Sequence, residues 1–135
     1  MTNRNLVFDF VEQAAPFSHI TELNNIVSLS GIIASDYVFA DRTCFDSIGS
    51  ETKTCLLLVQ KMLRSVALSM EDVTSVLIHM TDLSEFDEMN TVYEKFFQKG
   101  LEPTRTCVGV SELLDHARIE ITCQAIRKKS RMPAK

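Results

Sequence analysis

The residues with chemistry to offer gather in the C-terminal third of this 135-residue chain. In Pro103-Thr104-Arg105-Thr106-Cys107 the proline fixes the entry to a strand and has no amide proton to give. Side chains alternate along a strand, so Arg105 and Cys107 share one face. The planar guanidinium fork of Arg105 matches a small carboxylate ligand in a bidentate pair. A surface or intersubunit salt bridge is the commoner fate of such an arginine. Glu120, between Ile119 and Ile121, takes the face opposite the apolar set, where a carboxylate can hold or activate a water. A simple solvated face is the alternative, because carboxylates are usually exposed. Cys107 is a nucleophile only if Arg105 depresses its pKa, and a buried, inert thiol is the ordinary reading.

Other catalytic constellations are missing from the sequence. His19, His79 and His116 share no spacing, and His79 falls in an apolar strand as a core or interface histidine. No Gly-rich phosphate loop, nucleophile elbow or dinucleotide fingerprint occurs. Cys44, Cys55, Cys107 and Cys123 form no C-x-x-C pair, have no histidine at zinc spacing, and read as reduced thiols in a cytoplasmic protein.

The elements that position these residues follow from periodicity. Strands are expected at Asn5 to Phe10, Ser18 to Leu23 and Ile26 to Ile33, with a tight turn at Asn24-Asn25. Gly31, inside the third strand, marks a bulge or a close approach to the backbone. A helix runs from Ser47 or Ser50 to Ala67, with Cys55, Val59, Met62, Leu63 and Val66 as its apolar stripe. Val73 to Thr81 is a strand with Val73 and Leu77 on one side and Val76, Ile78 and Met80 on the other. Apolar residues on both faces imply that something covers each. A second helix opens at a capping box, Ser84 to Asp87, and carries Phe86, Met89, Val92, Tyr93, Phe96 and Phe97 on one stripe. Strands Arg105 to Val110 and Arg118 to Ile126 complete an α+β domain over residues 1–126. Both helices are expected on one face of the sheet, leaving an apolar open face suited to oligomerisation.

Bulk properties narrow the functional classes. The net charge is −4, and residues 127–135 hold five basic and no acidic side chains. With that tail set aside, as an expected disordered end, the body carries about −9. Such a body lacks the clustered Lys and Arg of a broad nucleic-acid footprint. The N-terminus, with Asp9 and Glu12, does not read as a signal peptide, and no apolar run is long enough to span a bilayer.

Taken together, the segments resemble the Rid family, the RidA or YjgF-type enamine/imine deaminases often labelled L-PSP endoribonucleases. The resemblance rests on Pro103-Thr104-Arg105-Thr106-Cys107-Val108-x-Val110, on Leu113 and on Ile119-Glu120-Ile121. Upstream it includes Asp72-Val73, Thr81-Asp82-Leu83, Phe86, Asn90, Tyr93, Phe96-Phe97, Ala15-Pro16-Phe17-Ser18 and Leu29-Ser30-Gly31. It implies a chorismate-mutase-like fold: one mixed β-sheet with two helices on one face, in a homotrimer with ligand clefts between subunits. It implies metal-independent hydrolysis of 2-imino or 2-enamino acids, such as 2-aminoacrylate, to 2-keto acids and ammonia, as in a 2-iminobutanoate/2-iminopropanoate deaminase. Arg105 would bind the substrate carboxylate and Glu120 would position the attacking water, aided by the main chain at Cys107. Phe17, Ser30, Gly31, Asn90 and Cys107 would line the substrate pocket, and no cofactor is implied. The sequence departs from the family pattern at Phe17, where tyrosine is usual, and at Ile32, where glutamine is common. Leu114 replaces a proline and Leu58 an asparagine. Two other readings stay open: a non-catalytic trimer that binds small carboxylates, and a ribonuclease or translation inhibitor.

Overall fold

A computed structural model describes residues 4–6, 16–37 and 45–128. Six strands form one sheet in the order β1-β2-β3-β6-β4-β5. They are β1 Arg4–Leu6, β2 Ile20–Leu23, β3 Ile26–Leu29, β4 Val73–Met80, β5 Thr104–Gly109 and β6 Ile119–Ile126. Only β4 and β5 run parallel, and the helix that crosses between them, α2, spans Phe86–Tyr93. Helix α1, Ile48–Ser65, packs against α2 and β6. The fold is the mixed sheet with two helices that the sequence implied.

Local sequence explains most boundaries. Asn24 and Asn25 both adopt positive φ, at 53° and 67°, which is the geometry a two-residue hairpin needs and asparagine tolerates. Ser47 caps α1 by accepting from the Ser50 amide at 3.1 Å. Val59, Met62 and Leu63 of α1 are fully buried, and so are Leu56 and Leu58 beside them. Against them lie Val76, Ile78 and Met80 of β4 and Ile119, Ile121 and Cys123 of β6.

Four expectations need correction. Val73 joins the buried face with Val76, because Val73 pairs with Ala125 while Ser75 pairs with Gln124. Thr74 is the extra residue of a bulge, and a bulge resets the alternation of side chains. Ser84 does not cap α2. Its hydroxyl donates to Asp82 at 2.7 Å, and Asp82 caps a short 3₁₀ turn that leads into the helix. Regular pairing of β3 ends at Leu29, four residues before Ile33, and resumes only as a bridge between Ile32 and Ile121. The open sheet face is mixed: exposed Val108 lies on it, and Leu77 joins Ser28, Ser75, Thr104, Thr106, Thr122 and Gln124 around a shallow groove of about 420 Å³.

At the chain's end Arg127 is held in place. Its guanidinium donates to both oxygens of the buried Glu22, at 2.8 and 3.1 Å. The rest of the expected tail from residue 129, the continuation of the first strand to Phe10, and Cys44 lie outside the described residues. Among the described residues no helix is long and apolar enough to cross a membrane.

Candidate functional site

Register decides which way each candidate points. Arg105 and Cys107 stand opposite Val76 and Ile78 of β4, so they face the helices. Glu120 stands opposite His79, on the other face. Arg105 and Glu120 therefore project from opposite sides of the sheet and line separate pockets.

The Arg105 pocket, about 370 Å³, lies between α2 and the start of β5. Phe86, Asn90 and Tyr93 recur at helical spacing on one face of α2 and meet the guanidinium together. Arg105 donates to the Asn90 side-chain oxygen at 2.6 Å. Its guanidinium carbon lies 4.7 Å from the centre of the Tyr93 ring and 5.4 Å from that of Phe86. Aromatic faces attract the cation without neutralising it. Among the described residues no carboxylate stands within ion-pair distance of Arg105. Within one chain, the salt bridge that sequence alone favoured is not formed among the described residues. The Tyr93 hydroxyl is buried without a hydrogen-bond partner among the described residues. Burial pushes its pKa well up, against the pull of Arg105.

The Glu120 pocket, about 300 Å³, brings together Phe17, Ser30, Gly31, Ile33, Asp36, Leu114 and Glu120. A bulge builds it. Ser28 pairs with Gln124 and Ile32 with Ile121, so one extra residue bows out of the strand at Ser30-Gly31. Ser30 pins the bow, its hydroxyl donating to the Ser18 carbonyl at 2.7 Å and its amide to His19 at 3.0 Å. Gly31 leaves room for the carboxylate: a Cβ there would lie 2.9 Å from both Cδ and Oε2 of Glu120. Phe17 stands edge-on to the buried His19, at 5.7 Å between ring centres, and remains 55% exposed at the pocket mouth. Opposite it projects Leu114, 80% exposed, on a loop where Asp115 and His116 adopt positive φ. Burial raises the Asp36 carboxyl above its usual range, although the Ile33 amide donates to it.

The structure thus divides the residues predicted from sequence. Phe17, Ser30, Gly31 and Glu120 share one pocket, Arg105 and Asn90 share another, and Cys107 lines neither. Burial raises the Cys107 thiol more than Arg105 lowers it, so the group is a poor nucleophile at neutral pH. Among the described residues no three His, Cys, Asp or Glu side chains could hold a metal ion together. Sequence reasoning missed His79 beside Glu120, and Asp36 and Leu114 in the same pocket. Phe86 and Tyr93 were read only as core, though their spacing with Asn90 was the available signal.

Known proteins supply the context for this geometry. The model of the family described as Endoribonuclease L-PSP matches residues 9–127. The chain belongs to this family, also called RidA/YjgF. A RutC family protein of Buchnera aphidicola is 31% identical, with 84% of this chain and 88% of the relative covered. A Dermatophagoides farinae protein named 2-iminobutanoate/2-iminopropanoate deaminase is also 31% identical, over 78% of this chain and 81% of its own. The crystal structure of yeast Mmf1 superposes with a TM-score of 0.81 at 26% identity, covering 94% of this chain and all of the other.

Proposed function

We propose that this Rid protein hydrolyses reactive 2-imino and 2-enamino acids of the 2-aminoacrylate type to 2-keto acids and ammonia. The observation that carries the reading is Arg105: a cation steadied by Asn90 and two aromatic rings and open to a pocket, where Glu94 and Glu102 also stand but no carboxylate among the described residues comes within ion-pair distance. Such a group is preorganised for an incoming carboxylate. The mite relative bears the name of this activity.

Because Arg105 and Glu120 leave opposite faces of the sheet, a complete site needs two chains. We place it at the interface of a homotrimer, with Arg105 and Asn90 from one copy and Phe17, Ser30, Gly31 and Glu120 from its neighbour. Arg105 grips the substrate carboxylate and fixes the adjacent electrophilic carbon. An enamine first takes a proton from solvent at its terminal carbon and becomes the protonated imine. Water attacks C2 as Glu120 removes one of its protons, forming a carbinolamine. Glu120 returns that proton to nitrogen, the C–N bond breaks and ammonia leaves, while the hydroxyl proton passes to the freed Glu120 carboxylate and on to solvent as the carbonyl closes. The main chain at Cys107 contributes polar groups, while the thiol takes no covalent part.

The test supplies 2-aminoacrylate, generated in situ by a dehydratase, to the purified protein and follows the imine signal. Acceleration over buffer that disappears in Arg105→Ala, with the assembly intact, supports the proposal. A folded assembly with no acceleration overturns it. Arg105-dependent binding of a 2-keto acid without turnover would then favour a carboxylate-binding module.

A further inference from the structure

His79 is the side chain that the proposed reaction does not yet use. It lies directly across the antiparallel β4–β6 ladder from Glu120, with Nδ1 3.4 Å from Oε1. That nitrogen is buried and has no hydrogen-bond partner among the described residues. Among the same residues Glu120 accepts no hydrogen bond, so neither group is committed elsewhere. On the carboxylate's other flank, the backbone at Gly31 comes so close that a Cβ would clash with it. Glu120 stands between an imidazole and a backbone wall.

We propose that His79 is a positioning residue for Glu120, donating from Nδ1–H to Oε1 and so fixing the carboxylate's rotamer. The inference rests on the proposed role of Glu120 in imine hydrolysis. That role needs an anion aimed at water and able to pass one proton on to nitrogen. The His79 proton is not consumed, since the proton in transit goes from water to Glu120 and then to the departing ammonia. Other charged groups near the pair raise the need for such a donor. Asp36, from the turn after β3, interacts unfavourably with Glu120 and with Asp115 of the loop before β6, while His19 offsets Asp36. On the β5 side the register partner of His79 is Val108, which carries no charge.

Two variants and one exchange measurement test this. His79→Phe fills the space without a donor, and His79→Asn restores a donor near the position of Nδ1. In His79→Phe, kcat with 2-aminoacrylate should fall about tenfold while KM stays within about twofold. His79→Asn should recover most of kcat. An unchanged kcat in His79→Phe would overturn the proposal. So would equal losses in both variants that track a fall in thermal stability. The exchange measurement is independent of turnover. The His79 Nδ1 proton, followed by NMR, should exchange with water about tenfold more slowly in the parent than in Glu120→Ala, which has no acceptor. Equal exchange rates overturn the pairing. A parent protein that hydrolyses no imine yet shows the slowed exchange would sink the deaminase reading while supporting the contact.

Discussion

Replacing Gly31 by alanine tests the carboxylate's placement with little cost to the fold. The added Cβ would lie 2.9 Å from Cδ and Oε2 of Glu120 and 3.0 Å from the Thr122 hydroxyl. Non-bonded atoms at optimal separation sit about 3.5–4.0 Å apart, so the carboxylate must retreat by about 0.6 Å or more. It can do so cheaply, because it ends a flexible, half-buried side chain. Gly31 does not occupy the left-handed region that glycine alone favours, so alanine strains no backbone there. Reduced freedom in the unfolded chain even offsets part of the contact cost. Stability should change by less than about 1 kcal/mol, a few degrees in Tm. Activity is another matter, since a displacement near 1 Å can cost on the order of a hundredfold. We expect kcat for 2-aminoacrylate to fall about 10- to 100-fold with KM within about twofold, because the Arg105 anchor is untouched. Steady-state kinetics beside a thermal melt separates these quantities. A Gly31→Ala protein with kcat close to the parent's would refute the role given to the cradle, as would activity lost only in proportion to folded protein.

Three further outcomes follow from the same geometry. Asn90→Ala removes the 2.6 Å bond that orients Arg105, and KM should rise about tenfold, as befits one hydrogen bond to a charged group; an unchanged KM would detach Asn90 from the anchor. The Cys107 thiol, raised by burial, should react with iodoacetamide more slowly than free cysteine at pH 7.5 and gain reactivity only as pH climbs past the usual thiol range, while Cys107→Ala keeps kcat within about threefold because only the main chain is used. Glu51, 3% exposed, accepts from the backbone amide of Arg118 at 3.1 Å and from its Nε at 2.6 Å. Glu51→Ala should cost about 2–3 kcal/mol by denaturant unfolding, since it leaves the Arg118 amide without its acceptor and the guanidinium with only Glu85 at 3.7 Å and the Phe45 carbonyl, and a loss below about 1 kcal/mol would contradict that assignment.

Much of this architecture was legible where the cause is local. The stripe of Cys55, Val59, Met62, Leu63 and Val66 gave α1, and the Asn24-Asn25 pair gave the first hairpin. Gly31 read as a bulge or a close approach, and the structure shows both, with Glu120 as the approaching group. Misreadings arose where long-range pairing sets the outcome. Thr74 bulges because β4 must shift register against β6, and nothing in the residues around Val73 announces it. Ser84 has a capping sequence, but the earlier turn at Asp82 takes its hydroxyl first. Alternation placed Arg105 beside Cys107 yet could not relate either to Glu120, because their faces depend on register carried through β4. His79 and Glu120 meet across the same ladder, 41 residues apart in sequence, so no motif could have joined them.

If the site is divided between two faces of neighbouring copies, two inactive variants complement each other when mixed. Arg105→Ala and Glu120→Gln, each carrying a different tag, are co-assembled, and the mixed oligomers are isolated by both tags. In a mixed trimer of either composition, only one of the three interfaces draws an intact arginine side and an intact glutamate side from its two copies, so about a third of the sites are fully restored. The isolated mixed oligomers should regain about a third of the parent's imine hydrolysis, while each variant alone stays near the buffer rate. A mixture no more active than its components would contradict it, and would place Arg105 and Glu120 in the service of one chain's site or of none.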